Sequence, residues 1–136
     1  MIRHATAVWQ GNGKQGKGTL STQSLVLRKS QYSYHSRFEE GPGTNPEELV
    51  AAAHAGCFSM KLAFVLQEAG FVADEIETKC DVTLENGAIT KSHLTVKAKI
   101  PGISKEKFEE SAKNAKDNCP VSKSINSSIT LDASLS

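Results

Sequence analysis

Residues 75–84, EIETKCDVTL, alternate without a break. Ile76, Thr78, Cys80, Val82 and Leu84 fall on one side, and Glu75, Glu77, Lys79 and Asp81 on the other. A period of two predicts a half-buried strand. Asn86-Gly87 follows, the strongest short hairpin signal, and the return stretch 89–100 keeps the period, with Leu94, Val96, Ala98 and Ile100 inward. After Pro101-Gly102 the period changes. In 104–119, Phe108, Ala112, Ala115 and Cys119 recur at spacings of four, three and four, the signature of an amphipathic helix. Cys119 lies on its core-facing side and Pro120 ends or bends it. The stretch 127–135, SSITLDASL, predicts a last strand.

The first forty residues read as strands and turns. GNGKQGKG (11–18) is a glycine-rich turn joining HATAVW to TLSTQS as a hairpin. It carries neither a dinucleotide fingerprint nor a phosphate-binding loop. LVLRK (25–29) and YSYHSRF (32–38) are candidate further strands. A well-marked helix start follows: Asn45 to cap, Pro46 in the first turn, Glu48 three residues beyond the cap. The helix is expected to run to about Ala69, with Gly70 as terminator.

This order of strands, helix, hairpin, helix and strand is an α+β domain with antiparallel sheets. No repeat, low-complexity tract or linker interrupts it, so residues 1–136 are expected to form a single domain. One element fits poorly in a lone chain. The helix after Asn45 is apolar on nearly all sides, and one small sheet covers only one of them. A second copy of the chain is the expected cover, which predicts an obligate homodimer with this helix at its centre.

Composition narrows the function. The chain has 136 residues, 38% hydrophobic and 23% charged, with a net charge of +1; this offers no argument for nucleic acid, membrane surface or acidic partners. The N-terminal stretch has no apolar run like a signal peptide. The most apolar window, 49–66, is interrupted by His54 and Lys61 and reads as too polar to span a membrane. Three cysteines form an odd set, which argues against an extracellular disulfide framework and for the cytoplasm.

Each cysteine has its own environment. Cys80, on the apolar face of an alternating strand, reads as packing. Cys119, at a helix C-terminus, faces the negative end of the dipole, which disfavours a thiolate; a resolving role needs access more than acidity. Cys57 sits about three turns into the long helix, where burial opposes its ionisation. A reactive Cys57 therefore needs a cation from another element.

The stretch RFEEGPGTNPEELVAAAHAGCFSMKLAF (37–64) closely resembles the signature of the OsmC family, osmotically inducible peroxidases related to the organic hydroperoxide resistance proteins. NCPVSKSI (118–125) resembles the family's second cysteine motif, and GTNPEELVAAAHAGCFSM is closer to the OsmC branch. The resemblance covers nearly the whole chain. It implies antiparallel sheets wrapped around central helices in an intertwined homodimer. It matches Cys57 to the peroxidatic cysteine, Cys119 to the resolving cysteine, Arg37 to the arginine that pairs with the thiolate, and Glu47 to the carboxylate that holds the arginine. Glu48 is the alternative carboxylate, but it is the one placed for the capping box. Cys80 matches no family position.

The implied chemistry is thiol-dependent reduction of organic hydroperoxides, and more weakly of hydrogen peroxide, to alcohols. A Cys57 thiolate attacks the peroxide oxygen, and Cys119 closes a disulfide on the resulting sulfenic acid. A dithiol, of lipoyl type by family likeness, restores both thiols; neither metal nor organic cofactor is required. Ten helical residues separate Glu47 and Cys57, roughly 15 Å along the axis and roughly 80° out of phase. Antiparallel central helices in a dimer are therefore expected to bring one chain's Glu47 near the other's Cys57, with the sites at the subunit interface. Phe58, Met60, Leu62, Phe64 and Trp9 are candidates for an apolar substrate pocket.

Three other readings compete. A metal site at His54 and Cys57 lacks further ligands at metal spacing. A cysteine hydrolase lacks a signature around Cys57. A non-catalytic dimeric stress or small-molecule-binding protein with structural cysteines would lose no thiols to a hydroperoxide.

Overall fold

The computed structural model describes residues 1–136. They form two compact units, 1–49 and 50–136.

The first unit holds β1 (Ala5–Gln10), β2 (Lys17–Thr22) and β3 (Ser30–Tyr32) in one antiparallel sheet of that order. The expected hairpin is present, with Ala5 opposite Thr22 and Gln10 opposite Lys17. Gly18 is required by packing. A Cβ there would meet the rings of Tyr32 and Trp9 at 2.5 and 2.6 Å, and those rings lie 5.4 Å apart across the sheet.

Two expected strands are absent. LVLRK (25–29) is a turn, because Leu25 and Lys29 adopt left-handed backbone at φ +62° and +47° and Leu27 folds back on Thr22, its N–H donating to Oγ1. YSYHSRF contributes only Tyr32 to a strand. Ser33 caps α1 (Tyr34–Phe38), its hydroxyl accepting from Ser36 N–H while Ser36 Oγ accepts from Ser33 N–H. That local pair of bonds offers the backbone an alternative to the sheet ladder.

The unit ends on the first turn of α2 (Pro46–Glu68). Asn45 Oδ1 accepts the Glu48 N–H at 2.8 Å, as expected. The capping box is not completed, because the Glu48 carboxylate instead accepts the Thr44 hydroxyl at 2.8 Å. Gly18 and Ser36 are the only buried residues in this unit, while Val8, Val26 and Phe38 are more than half exposed. A three-stranded sheet with so little covered is not stable by itself.

The second unit continues α2 and adds β4 (Glu75–Glu85), β5 (Ala88–Lys99), α3 (Lys105–Asn118), α4 (Pro120–Ser124) and β6 (Ser128–Leu135). Its sheet runs β4-β5-β6. β4 and β5 are antiparallel around Asn86 and Gly87, whose φ of +51° and +77° fit the tight turn that Asn-Gly favours. The purely antiparallel expectation needs one correction: β6 runs parallel to β5, Leu94 opposite Leu131. The chain returns through α3 and α4, and a helical crossover of that length delivers a parallel strand.

The buried face of α2 is a stripe at every fourth residue, His54, Phe58, Leu62 and Leu66. It packs with Leu94, Val96 and Ala98 of β5 and with Phe108 and Ala115 of α3. Gly70, at φ +90°, ends the helix. Its N–H bonds Gln67 O, and Phe71 N–H bonds Leu66 O, closing the last carbonyls. Because Phe58 has no exposed surface, Phe58→Ala is expected to cost about 3–5 kcal/mol, read from the shift in urea midpoint.

The opposite face of α2 is uncovered. Ala52, Ala53, Gly56 and Ala63 are exposed, as are Met60 and Phe64 at 66% and 56%. Contrary to the sequence expectation, α2 is long and apolar enough by length and composition to cross a membrane. Its buried stripe instead carries a hydrogen-bonded His54 into the core of this unit.

Candidate functional site

Cys57 lies on the boundary between the two faces of α2, half-buried, while Cys119 is wholly buried. Both thiols are free. Cys119 was expected only at the C-terminus of α3. It is also the N-cap of α4: α3 ends at Asn118, as expected before Pro120, and Pro120 itself occupies the first turn of a second helix. The Ser122 N–H points at the Cys119 sulfur at 3.4 Å, and the Ser122 hydroxyl lies 3.2 Å from it. The backbone N–H of the preceding residue, Val121, favours the Cys57 thiolate. The two residues that follow Pro120 thus serve both sulfurs.

Burial pushes the Cys57 thiol above its usual range; the Val121 N–H opposes that, and Cys119, in the same packed cluster, adds to it. No cation of its own unit is among the groups that shift this thiol, although Lys61 lines the same cleft. Cys57 opens onto a cleft of about 400 Å³ lined by Gly56, Met60, Lys61, Phe64, Asn118 and Pro120. Met60 and Phe64 of the expected apolar pocket line it. Phe58 and Leu62 do not; they are fully buried core residues, because a four-residue spacing places them on the other stripe of α2. Trp9 packs on Tyr32 in the first unit.

Arg37 and Glu47 meet in the first unit. Glu47 Oε1 accepts from Arg37 Nε at 2.9 Å and Nη2 at 2.8 Å. The Glu47 side chain is 13% exposed and that of Arg37 41%. Glu47 Oε2 is buried without a partner, and no hydrogen bond engages Arg37 Nη1. Glu48 takes no part in the pair. α1 and the first turn of α2 hold the two residues: Asn45 Nδ2 donates to Ser36 O, and Ser36 Oγ donates to Thr44 O. The structure thus joins Arg37 to Glu47 and Cys57 to Cys119.

One cluster has no motif in the sequence. His54 has no exposed surface. Its Nδ1 lies 2.6 Å from Ser92 Oγ and its Nε2 2.8 Å from Ser122 Oγ. Ser92 Oγ in turn lies 3.1 Å from the Cys80 sulfur. Cys80 is therefore a hydrogen-bonded member of a polar chain rather than a plain filler. The available signal was polar residues on apolar faces: His54 four positions before Phe58, and Ser92 two before Leu94. No group of three or more His, Cys, Asp or Glu side chains is arranged to hold a metal ion.

Burial pushes the His54 imidazole below its ordinary value of 6.5, so it is neutral in the folded chain near pH 7. The unfolded chain takes up a proton at His54 as pH falls through that value, while the folded one resists. This contribution to stability is fully present above pH 6.5 and is lost on acidification. Unfolding free energy is expected to fall from pH 7 to pH 5 more steeply in the native chain than in His54→Gln, as read from urea midpoints at both pH values.

Residues 39–134 match the family model for OsmC-like protein. The chain is 47% identical over 133 residues to a protein of Escherichia coli named peroxiredoxin OsmC, covering 95% of this chain and 93% of that one. Among solved structures, the organic hydroperoxide resistance protein OhrB of Bacillus subtilis superposes with a TM-score of 0.67 at 26% identity, covering 96% of this chain and 97% of that one. An OsmC-like protein of Vibrio cholerae reaches a TM-score of 0.75 at 16% identity, covering 98% and 99%; that likeness is one of fold.

Proposed function

This chain belongs to the OsmC-like protein family, and on that premise we propose that it is a cysteine-based peroxidase that reduces organic hydroperoxides to alcohols. The observation that carries the reading is the pairing of free Cys57 with free Cys119 beside an apolar cleft. The names of its relatives, a peroxiredoxin and an organic hydroperoxide resistance protein, point the same way.

In this reading the Cys57 thiolate attacks the terminal peroxide oxygen. The O–O bond breaks, an alkoxide leaves and takes a proton to become the alcohol, and Cys57 becomes a sulfenic acid. Cys119 then attacks the sulfenic sulfur; the S–S bond forms and water leaves. A dithiol of lipoyl type restores both thiols. Met60 and Phe64 favour an alkyl peroxide over hydrogen peroxide, because an apolar tail gains contact that a small polar molecule cannot. The free thiols suit a reducing compartment such as the cytoplasm.

Arg37 and Glu47 complete the site, supplied by the second chain of a homodimer built from single 1–136 domains. Three features favour this. Burial alone disfavours the Cys57 thiolate, so a cation is needed. A first unit with almost nothing buried and an α2 face bearing Met60 and Phe64 both lack a cover. On α2, ten residues separate Glu47 from Cys57, about 15 Å along the axis. Arg37 Nε and Nη2 are held by Glu47, and Nη1 is left for sulfur or peroxide oxygen.

Titration of free thiols tests the reading. One equivalent of cumene hydroperoxide per chain is expected to remove two thiols rapidly and yield a Cys57–Cys119 disulfide by peptide mass. Unchanged thiol counts would favour a non-catalytic binding protein instead.

A further inference from the structure

Cys119 has no exposed surface, whereas Cys57 lines the cleft. Resting on the Cys57–Cys119 pairing just proposed, this asymmetry has a chemical consequence for the reductive step. A dithiol arriving from solvent meets the Cys57 sulfur. A bond forms between a reductant sulfur and Cys57, the Cys57–Cys119 bond breaks, and the electron pair goes to Cys119, which leaves as a thiolate. The second reductant thiol then closes the reductant's own disulfide and releases Cys57. The two protons of the dithiol end on the two cysteines, so the sum is one disulfide exchanged for another. The demanding moment is the appearance of an anionic sulfur at a site without solvent.

Two donors lie within reach of that sulfur, both from Ser122: its backbone N–H at 3.4 Å and its hydroxyl at 3.2 Å. The N–H is fixed by the backbone. The hydroxyl rotates, and His54 decides where it points. A neutral imidazole has one N–H and one bare nitrogen. With the proton on Nε2, His54 donates to Ser122 Oγ at 2.8 Å, and the Ser122 O–H is left to face Cys119. Nδ1 then accepts from Ser92 Oγ at 2.6 Å, and Ser92 accepts from the Cys80 thiol at 3.1 Å. Every member of the chain is satisfied. With the proton on Nδ1 the chain runs in reverse, and the Ser122 O–H is turned to Nε2, away from the sulfur. A disulfide-bonded or anionic Cys119 has no proton to give, so it fits the first arrangement alone.

We propose that Ser122 is the leaving-group donor for Cys119 when the disulfide is reduced, and that His54, held by Ser92 and Cys80, is the positioning residue that aims the Ser122 hydroxyl at the sulfur. Access directs the reductant to Cys57, and Ser122 serves the sulfur that then departs. It also gives Cys80 a function, as the donor that terminates the chain.

The test uses full-length protein whose Cys57–Cys119 disulfide is made with diamide, so that it does not depend on peroxide chemistry. Reduction by dithiothreitol is followed by stopped flow. Ser122→Ala removes the hydroxyl but keeps the backbone N–H, and is expected to slow reduction about ten- to a hundredfold, the loss of one hydrogen bond to a charged group. Ser122→Thr keeps a hydroxyl and is expected to restore the rate to within a few-fold. Nitrogen-15 spectra of the oxidised protein should show His54 as the Nε2–H tautomer, a signature that a purely structural histidine has no reason to favour. Reduction of Ser122→Ala at the native rate, a Thr variant as slow as the Ala one, or an Nδ1–H tautomer would each overturn the proposal. If cumene hydroperoxide forms no disulfide while the diamide-made disulfide behaves as described, the peroxidase reading fails and this inference stands.

Discussion

Cys57→Ser protein is expected to consume no organic hydroperoxide above the rate of buffer with dithiol. The reaction needs a polarisable anionic nucleophile, and a serine hydroxyl is neither ionised near pH 7 nor able to form a stable sulfenic acid equivalent. Neither remaining cysteine can take over. Cys119 is closed off from solvent, and burial pushes the Cys80 thiol above its usual range, with Ser92 opposing. The substitution is a small one at a half-buried position, so the fold should survive it. Cys119→Ser should behave differently. Its first turnover proceeds, sulfenic acid accumulates on Cys57 and is captured by a dione probe, and cycling stops. Initial rates of peroxide loss, with mass analysis of the Cys57 peptide, separate the two variants. Turnover by Cys57→Ser at the native rate would contradict the assignment.

Arg37→Met should lower kcat/KM for cumene hydroperoxide by about a thousandfold. Two contributions combine. An opposite charge beside an ionisable group favours its charged form by roughly 1–3 pKa units, and a fixed donor at a developing oxyanion is worth about 10²–10³ in rate; the two overlap, since both act through one guanidinium. The pH dependence carries the sign. With the arginine gone, burial and the neighbouring Cys119 outweigh the Val121 N–H at Cys57, so its thiolate appears only at more alkaline pH. Alkylation of Cys57 by iodoacetamide should therefore rise with pH along a curve displaced upward relative to the native protein. Arg37→Lys should recover only part of the loss, because an ammonium cannot hold Glu47 through two nitrogens while offering a third.

Much of this was legible in the residues. The alternation of 75–84 and the Asn86-Gly87 turn give β4 and β5 almost to the residue, and the spacing of Phe108, Ala112 and Ala115 gives the buried face of α3. These patterns are local, and local patterns survive folding. The parallel placement of β6 was not legible, because strand direction depends on the path of the crossover through α3 and α4. YSYHSRF alternates like a strand, yet the reciprocal Ser33–Ser36 bonds turn it into α1; a capping pair of serines is a weak signal beside aromatic strand formers. Pro120 closes α3 as expected, but that it also opens α4 was not legible.

The candidate site divides the same way. Arg37, Glu47, Cys57 and Cys119 were named from family likeness; the Arg37–Glu47 ion pair has the expected geometry, and Cys57 packs against the cluster that holds Cys119. His54, Ser92 and Ser122 were not assembled from sequence. His54 bonds partners 38 and 68 positions away, and no motif links a histidine to serines at such separations. Only polar residues at positions reserved for the core gave a hint.

In the proposed function, Cys57 works as a peroxidatic thiol whose arginine arrives from a second chain. Co-expression of Cys57→Ser and Arg37→Met chains, each inactive alone, tests it most directly. In a hybrid dimer with sites shared across the two-fold, one site carries both lesions and the other carries none. Hydroperoxide turnover is expected to reappear in the purified hybrid, at one native site per dimer. Hybrids as inactive as their parents, beside a fully active native dimer prepared in the same way, would contradict it.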